Sequence, residues 1–188
     1  PVLAIPEMMR VMLDECGYGW EAAWDIVKQT VAYTNHTVMS EALETWKCEL
    51  VRMRLPRIYQ IIEEINRRFW EELKAKGVEH QKIARMAPIS NGYVKMANLA
   101  VIGSHNVNGV SALHSDILKD DLFHDFYVEE PGKFTNVTNG IAHRRWLNQS
   151  NPKLAALITE LIGPDYIYDA DRLSDLLKYK DDASVREQ

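Results

Sequence analysis

The chain has 188 residues, 46% of them apolar and 26% charged, close to the average globular domain, which argues against intrinsic disorder. Its net charge of −5 comes with no long basic run, so the phosphate backbone of nucleic acid would be repelled, and nucleic-acid binding is not expected. No window approaches the roughly 18 uninterrupted apolar residues of a membrane span, no basic-then-apolar leader is present, and two cysteines, Cys16 and Cys48, are too few for a disulfide framework, which suggests a reduced, cytoplasmic setting.

The chain begins at Pro1 without an initiator methionine and enters a helical pattern almost at once. That suggests a segment of a longer protein, with a processed N-terminus as the alternative. Ile5 to Asp14 is predicted helical, with Pro6 in the first turn and Met8, Met9, Met12 and Leu13 as its stripe. Trp20 to Ala32 follows as a second helix, with Trp24, Val27 and Val31 on one face. Tyr33 to Val38 is short, polar and β-prone, and is predicted extended. Ser40 has the character of an N-cap, with Glu41 in the first turn of a short helix.

Pro56 to Lys76 is the clearest amphipathic helix. Ile58, Ile61, Ile62, Ile65 and Phe69 form its apolar face, and the spacing predicts the pairs Glu63–Arg67 and Glu64–Arg68, with Gly77 as the stop. Tyr93, Val94 and the run Leu99 to Ile102 suggest strand, closed by the polar stretch Gly103 to Gly109. Val110 to Leu122 is predicted helical with Val110, Leu113, Ile117 and Leu118 inward, and Phe134 to Asn139 extended. Asn151-Pro152 opens a helix that Gly163-Pro164 ends, Asp171 is the expected cap of a last helix through Leu177, and Lys180 to Gln188 is expected to fray. The sum is a mostly helical chain with two or three short strands, too few to close a sheet of their own.

Three polar islands interrupt the apolar helices: Thr34 to Thr37, Gly103 to Gly109 and Thr138 to Gly140. Asn carries a donor and an acceptor in one amide, and neutral His carries one of each, which suits the hydroxyl ring of a sugar. Glycines allow close approach of the backbone to a ligand. The same Asn-Gly and Thr-Asn pairs also serve as ordinary turn residues, and a lone His is commonly hydrogen-bonded scaffolding. Other chemistries find less support. There is no His-Glu-x-x-His helix, no Cys-x-x-Cys pair, no Gly-x-Ser-x-Gly elbow and no phosphate-cradling glycine loop. Asn35, Asn136 and Asn148 head glycosylation-like triplets, which are read as accidental without a secretory signal.

The islands and their flanks resemble the α-glucan (glycogen and maltodextrin) phosphorylase family. The strings are Leu3-Ala-Ile-Pro-Glu-Met-Met-Arg10, Ala32-Tyr-Thr-Asn-His-Thr-Val38 with Glu41-Ala-Leu43, and Leu55-Pro-Arg57 with Ile61-Ile-Glu-Glu-Ile-Asn66. They continue with Gly103-Ser-His-Asn-Val-Asn-Gly-Val110 and with Thr138-Asn-Gly140 before Arg144-Arg-Trp-Leu147. Order and separation match over nearly the whole chain.

The resemblance implies part of a two-domain α/β fold of the glycosyltransferase-B type. Residues 1–140 would be the later part of the N-terminal domain and residues 141–188 the crossover into the C-terminal one. It implies an allosteric, usually dimeric enzyme family that splits terminal α-1,4 glucosyl units from glycogen or maltodextrin with inorganic phosphate, releasing glucose 1-phosphate. The family uses pyridoxal phosphate through its phosphate group; the attachment lysine lies outside this chain. Carried over, His36 is the glucosyl-contacting histidine of the catalytic site, Asn139 hydrogen-bonds the sugar's hydroxymethyl side, Glu41 lies near the glucan approach, and Trp146 stands beside the cofactor. His105 and Asn108 match a motif near the cleft without a catalytic role. No metal ligand is expected. His143 stands where the family often has proline, which puts the local backbone in question. The isolated chain is expected to be inactive; the alternative is a glucan-binding or helical interaction module derived from the same fold.

Overall fold

Pro56 lacks the N–H that a first helical turn leaves unpaired, and it opens the longest helix of the chain. The computed structural model describes all 188 residues, Pro1–Gln188, which divide into two compact units, Pro1–Thr138 and Asn139–Gln188.

The first unit is built from helices α1 (Ala4–Arg10), α2 (Trp20–Thr30), α3 (Cys48–Arg54), α4 (Pro56–Ala75), α5 (His80–Met86), α6 (Met96–Gly103), α7 (Ala112–Ile117) and α8 (His124–Glu129). Its strands are β1 (Ala32–Thr34), β2 (Thr45–Lys47), β3 (Ile89–Ser90), β4 (Tyr93–Lys95), β5 (Asn106–Gly109) and β6 (Phe134–Asn136). Helix α4 buries Ile58, Ile61, Ile62 and Ile65 as its period requires, and α1, α3 and α5 pack on it. It ends at Gly77, φ 77°, where the N–H of Val78 bonds Leu73 O and that of Gly77 bonds Lys74 O, a Schellman stop. On its outer face Glu64 pairs with Arg67 and Arg68 as well as the geometry allows. The expected Glu63–Arg67 pair does not form: Arg67 turns to Glu71, and Glu63 lies 3.5 Å from Arg52 of α3.

Six strands form two three-stranded sheets, more than the sequence pattern suggested. One is antiparallel, in the order β2-β4-β3, with Asn91 and Gly92 at positive φ in the two-residue hairpin turn between β3 and β4. The other is parallel, in the order β1-β5-β6, with Thr34 beside Asn108 and Asn108 beside Thr135.

The run Leu99 to Ile102, expected as strand, lies in helix α6, all eight residues of which are buried. A uniformly apolar run has no period to tell strand from helix, and burial on every side lets it be either. The strand lies instead in the polar stretch expected to be a closing loop. Val107 of β5 is fully buried, while Asn106 and Asn108 bond across to Thr135 and Thr34. Helix α7 also faces differently from its prediction: Leu113 is 72% exposed, and His114 and Ser115 are buried. The Ser111 hydroxyl caps this helix by accepting from the His114 N–H, and the polar bonds of His114 and Ser115 fix its rotation. Ser40 caps no helix; Ser40–Ala42 is one 3-10 turn.

In the second unit, Asn151 caps α9 (Pro152–Ile162) by accepting the Leu154 N–H, and Gly163 at φ 82° ends it. The 3-10 stretch Ala170–Tyr179 is capped by Asp169, which accepts the Asp171 N–H; Asp171 does not cap it. The expected frayed tail carries α10 (Ala183–Glu187), capped by Asp182. Tyr166, fully buried, donates its hydroxyl to Asn148 Oδ1 at 2.8 Å.

Candidate functional site

Parallel pairing puts the carboxyl ends of β1, β5 and β6 at one edge, so the residues after Thr34, Gly109 and Asn136 emerge side by side. Loops at this edge are where open α/β sheets bind ligands. Gly109 makes the packing there possible. A Cβ on it would sit 2.8 Å from the backbone N and 2.9 Å from the Cα of Ser115, so helix α7 can approach the strand end only over a glycine.

Asn35 continues the ladder one residue past β1, its N–H donating to Asn108 O at 2.9 Å. Its side chain is buried. Oδ1 accepts the Thr37 N–H at 2.9 Å, which closes an Asx turn around His36, and Nδ2 donates to the Tyr33 hydroxyl at 3.0 Å. Burial pushes the Tyr33 phenol up, and the Asn35 bond pulls it partly back.

His114 reaches this turn from α7. Its Nδ1 lies 3.1 Å from the Val110 backbone nitrogen, which can only donate. The ring proton therefore sits on Nε2, which faces Thr37 O at 3.0 Å and Asn35 Oδ1 at 3.2 Å. Thr34 Oγ1 donates to Asn108 Oδ1, and Asn108 Nδ2 donates to Gly109 O. No buried side-chain nitrogen or oxygen lacks a partner. Asn35, Asn108 and His114 are thus committed to the scaffold, and the exposed side chain between them is His36.

Glu41 is exposed on the 3-10 turn of the same connection. Asn139 is the exposed first residue of the second unit. Trp146, 60% exposed, lies in the π-helical turn Arg144–Gln149 of that unit, with the Arg145 guanidinium 5.4 Å from its ring centre. His36 and Glu41 therefore share one loop, and Asn139 and Trp146 share the other unit. His143 is half-buried, with Nε2 3.2 Å from Ile167 O, a bond that a proline could not make.

His105 stands at the other end of β5. Its N–H bonds Val31 O, and its Nδ1 lies 3.2 Å from Lys28 O. A cleft of about 320 Å³ opens at that amino-terminal edge between Trp24, Lys28, His105, Phe126 and Lys133. It does not include His36. No group of three His, Cys, Asp or Glu is placed to hold a metal ion, and no helix is long and apolar enough to cross a membrane. The residue that sequence reasoning missed here is His114; Asn35 lies in an island read as suited to a sugar, and its amide is taken up by Tyr33 and Thr37 instead. Asn35-x-Thr37 carries a local Asx-turn signal, whereas nothing near His114 in sequence marks its partners.

All 188 residues match the family model for carbohydrate phosphorylase. The chain belongs to the carbohydrate phosphorylase family. It is 49% identical over 192 residues to the glycogen phosphorylase of Bacillus subtilis (strain 168), covering 100% of this chain and 24% of that protein. It is 50% identical over 188 residues to the muscle form of glycogen phosphorylase from Bos taurus, covering 98% and 22%. For the Mus musculus muscle form the identity is 51% over 186 residues, covering 97% and 22%. The chain spans about a quarter of the length of these curated relatives. Its mostly helical make-up with short strands agrees with the fold class expected from sequence, part of a glycosyltransferase-B-type fold.

Proposed function

We propose that this chain is part of an α-1,4-glucan phosphorylase, which transfers terminal glucosyl units of glycogen or maltodextrin to inorganic phosphate and releases glucose 1-phosphate. The observation that carries the reading is the match of the entire chain, at about half identity, to glycogen phosphorylases. The edge geometry supports it. An exposed histidine stands where three parallel strands end, flanked by residues already tied down. In this reading His36 contacts the glucosyl unit, Asn139 binds its hydroxymethyl side, and Glu41 borders the glucan's path. Residues 1–140 form the later part of the N-terminal domain and residues 141–188 begin the C-terminal one. The parent is a cytoplasmic, allosterically controlled homodimer.

The exposed indole of Trp146, with the Arg145 guanidinium beside it, suits a flat, phosphate-bearing ring, so pyridoxal phosphate fits as the neighbouring group. When bound, that cofactor supplies a phosphate for proton transfer to the substrate phosphate. This chain's own part is to bind and orient the sugar, chiefly through His36 and Asn139.

The test is phosphorolysis of maltodextrin by the full-length protein. His36→Ala is expected to lower kcat/KM about 100-fold, the scale for losing a positioned polar contact at the reacting centre. The 188-residue chain alone is expected to release no glucose 1-phosphate. Wild-type rates in His36→Ala, or turnover by the chain alone, would overturn the reading.

A further inference from the structure

The bonds beneath His36 converge on one side chain. We propose that His114 is a positioning residue for the transfer reaction, holding the residues on both sides of His36, Asn35 by its side-chain amide and Thr37 by its carbonyl, so that the His36 ring meets the sugar in one orientation; this rests on reading His36 as the sugar contact.

His114 is 9% exposed and uses both ring nitrogens. Toward β5 it accepts the Val110 N–H. Toward β1 it donates from Nε2 to Thr37 O and Asn35 Oδ1, the residues immediately after and before His36. Asn35 Oδ1 in turn accepts the Thr37 N–H, and Thr37 Oγ1 accepts that of Met39. Turning the His36–Thr37 peptide would strip the Thr37 N–H from Asn35 Oδ1, and turning the Thr37–Val38 peptide would strip the Thr37 carbonyl from His114, each of which is costly. His36 itself carries none of these bonds, so its ring stays free for a ligand while its backbone is fixed. A contact made in advance at the reacting centre raises the rate by saving the ordering that the substrate would otherwise have to impose.

The two halves of the imidazole can be tested apart. Asn at this position places an amide oxygen where Nδ1 stands and keeps the Val110 bond, but it cannot reach Thr37. Gln extends its N–H group to the Nε2 position and keeps the Thr37 side, losing the Val110 bond. In the full-length protein, His114→Asn is expected to speed amide hydrogen exchange at Thr37 and Met39 about 10-fold, with α4 unchanged. It is also expected to lower kcat for phosphorolysis about 10-fold, with the glucan KM within about 2-fold. His114→Gln is expected to recover most of both. Equal damage from the two variants would mean that His114 only maintains the fold, and unchanged exchange at Thr37 would mean that it does not hold the turn; either overturns the proposal. Faster exchange with undiminished kcat would show that the turn is held but that His36 is not the sugar contact, which removes the underlying reading. If neither variant folds, the wild-type protein decides. A nitrogen spectrum with labelled histidine should show His114 protonated at Nε2, and a proton on Nδ1 would overturn the arrangement.

Discussion

The two units expose the residues of interest in different settings. In Pro1–Thr138, His36 stands between Asn35 and Thr37, whose polar groups are committed to buried bonds, above a core in which Met9, Val27, Ile62, Leu99 and Val107 are fully buried. In Asn139–Gln188, Ile158 and Tyr166 are the buried residues, and Ile141, Trp146, Tyr168 and Leu177 are each at least 60% exposed. The contrast lies in what holds each residue in place. His36 is held by local hydrogen bonds and a closed core. Trp146 rests on a short π-helical turn whose supporting core is two side chains.

Separating the units would sharpen this contrast most. Two buried side chains cannot offset the ordering entropy of a segment this long. Residues 139–188 expressed alone are therefore expected to show no cooperative thermal transition by circular dichroism, while residues 1–138 keep one. A cooperative melt of 139–188 would break the comparison. Next in size is Ile62→Ala, which opens a cavity under α4 and is expected to cost about 3–4 kcal/mol in urea unfolding. Leu177→Ala, at a side chain 68% exposed, is expected to stay within about 0.5 kcal/mol. Gly109→Ala drives a methyl against the Ser115 backbone, and a loss of about 2 kcal/mol is expected, because the obstruction is main chain and cannot swing away.

How much of this was legible in the sequence follows the range of the interactions. Helix α4, its Gly77 stop and the Asn151 cap depend on neighbours within a few residues, and all are present, while of the extended Tyr33 to Val38 segment Tyr33 and Thr34 lie in strand β1. The Asn91-Gly92 pair, not singled out in advance, is a local signal of the same kind for the hairpin it makes. Helix α6 was read as strand because its apolar run has no period. Strand β5 was read as loop because its asparagines are satisfied by Thr34 and Thr135, distant in sequence. His36 stood out through family resemblance. His114 did not, since its ring bonds Asn35 and Thr37, 79 and 77 residues earlier.

A further small effect is expected on the outer face of α4. The Arg67 hydrogen bond, then that of Arg68, holds the Glu64 carboxyl at about 2. The folded value lies below the unfolded one, so the stabilisation is whole above about pH 4.5 and is lost as pH falls through about 2. The groups are partly solvated, and screening leaves about 0.5 kcal/mol. Glu64→Gln is expected to cost that much near neutral pH and nothing near pH 2, read from urea midpoints at both.

The most direct measurement is a crystal structure of the full-length protein with glucose 1-phosphate bound. The glucosyl ring is expected at the carboxyl edge of β1, β5 and β6, within about 3 Å of a His36 ring nitrogen, with the His114 bonds to Thr37 and Val110 intact. A sugar bound elsewhere, or His36 turned away with the 35–38 turn rebuilt, would contradict that expectation.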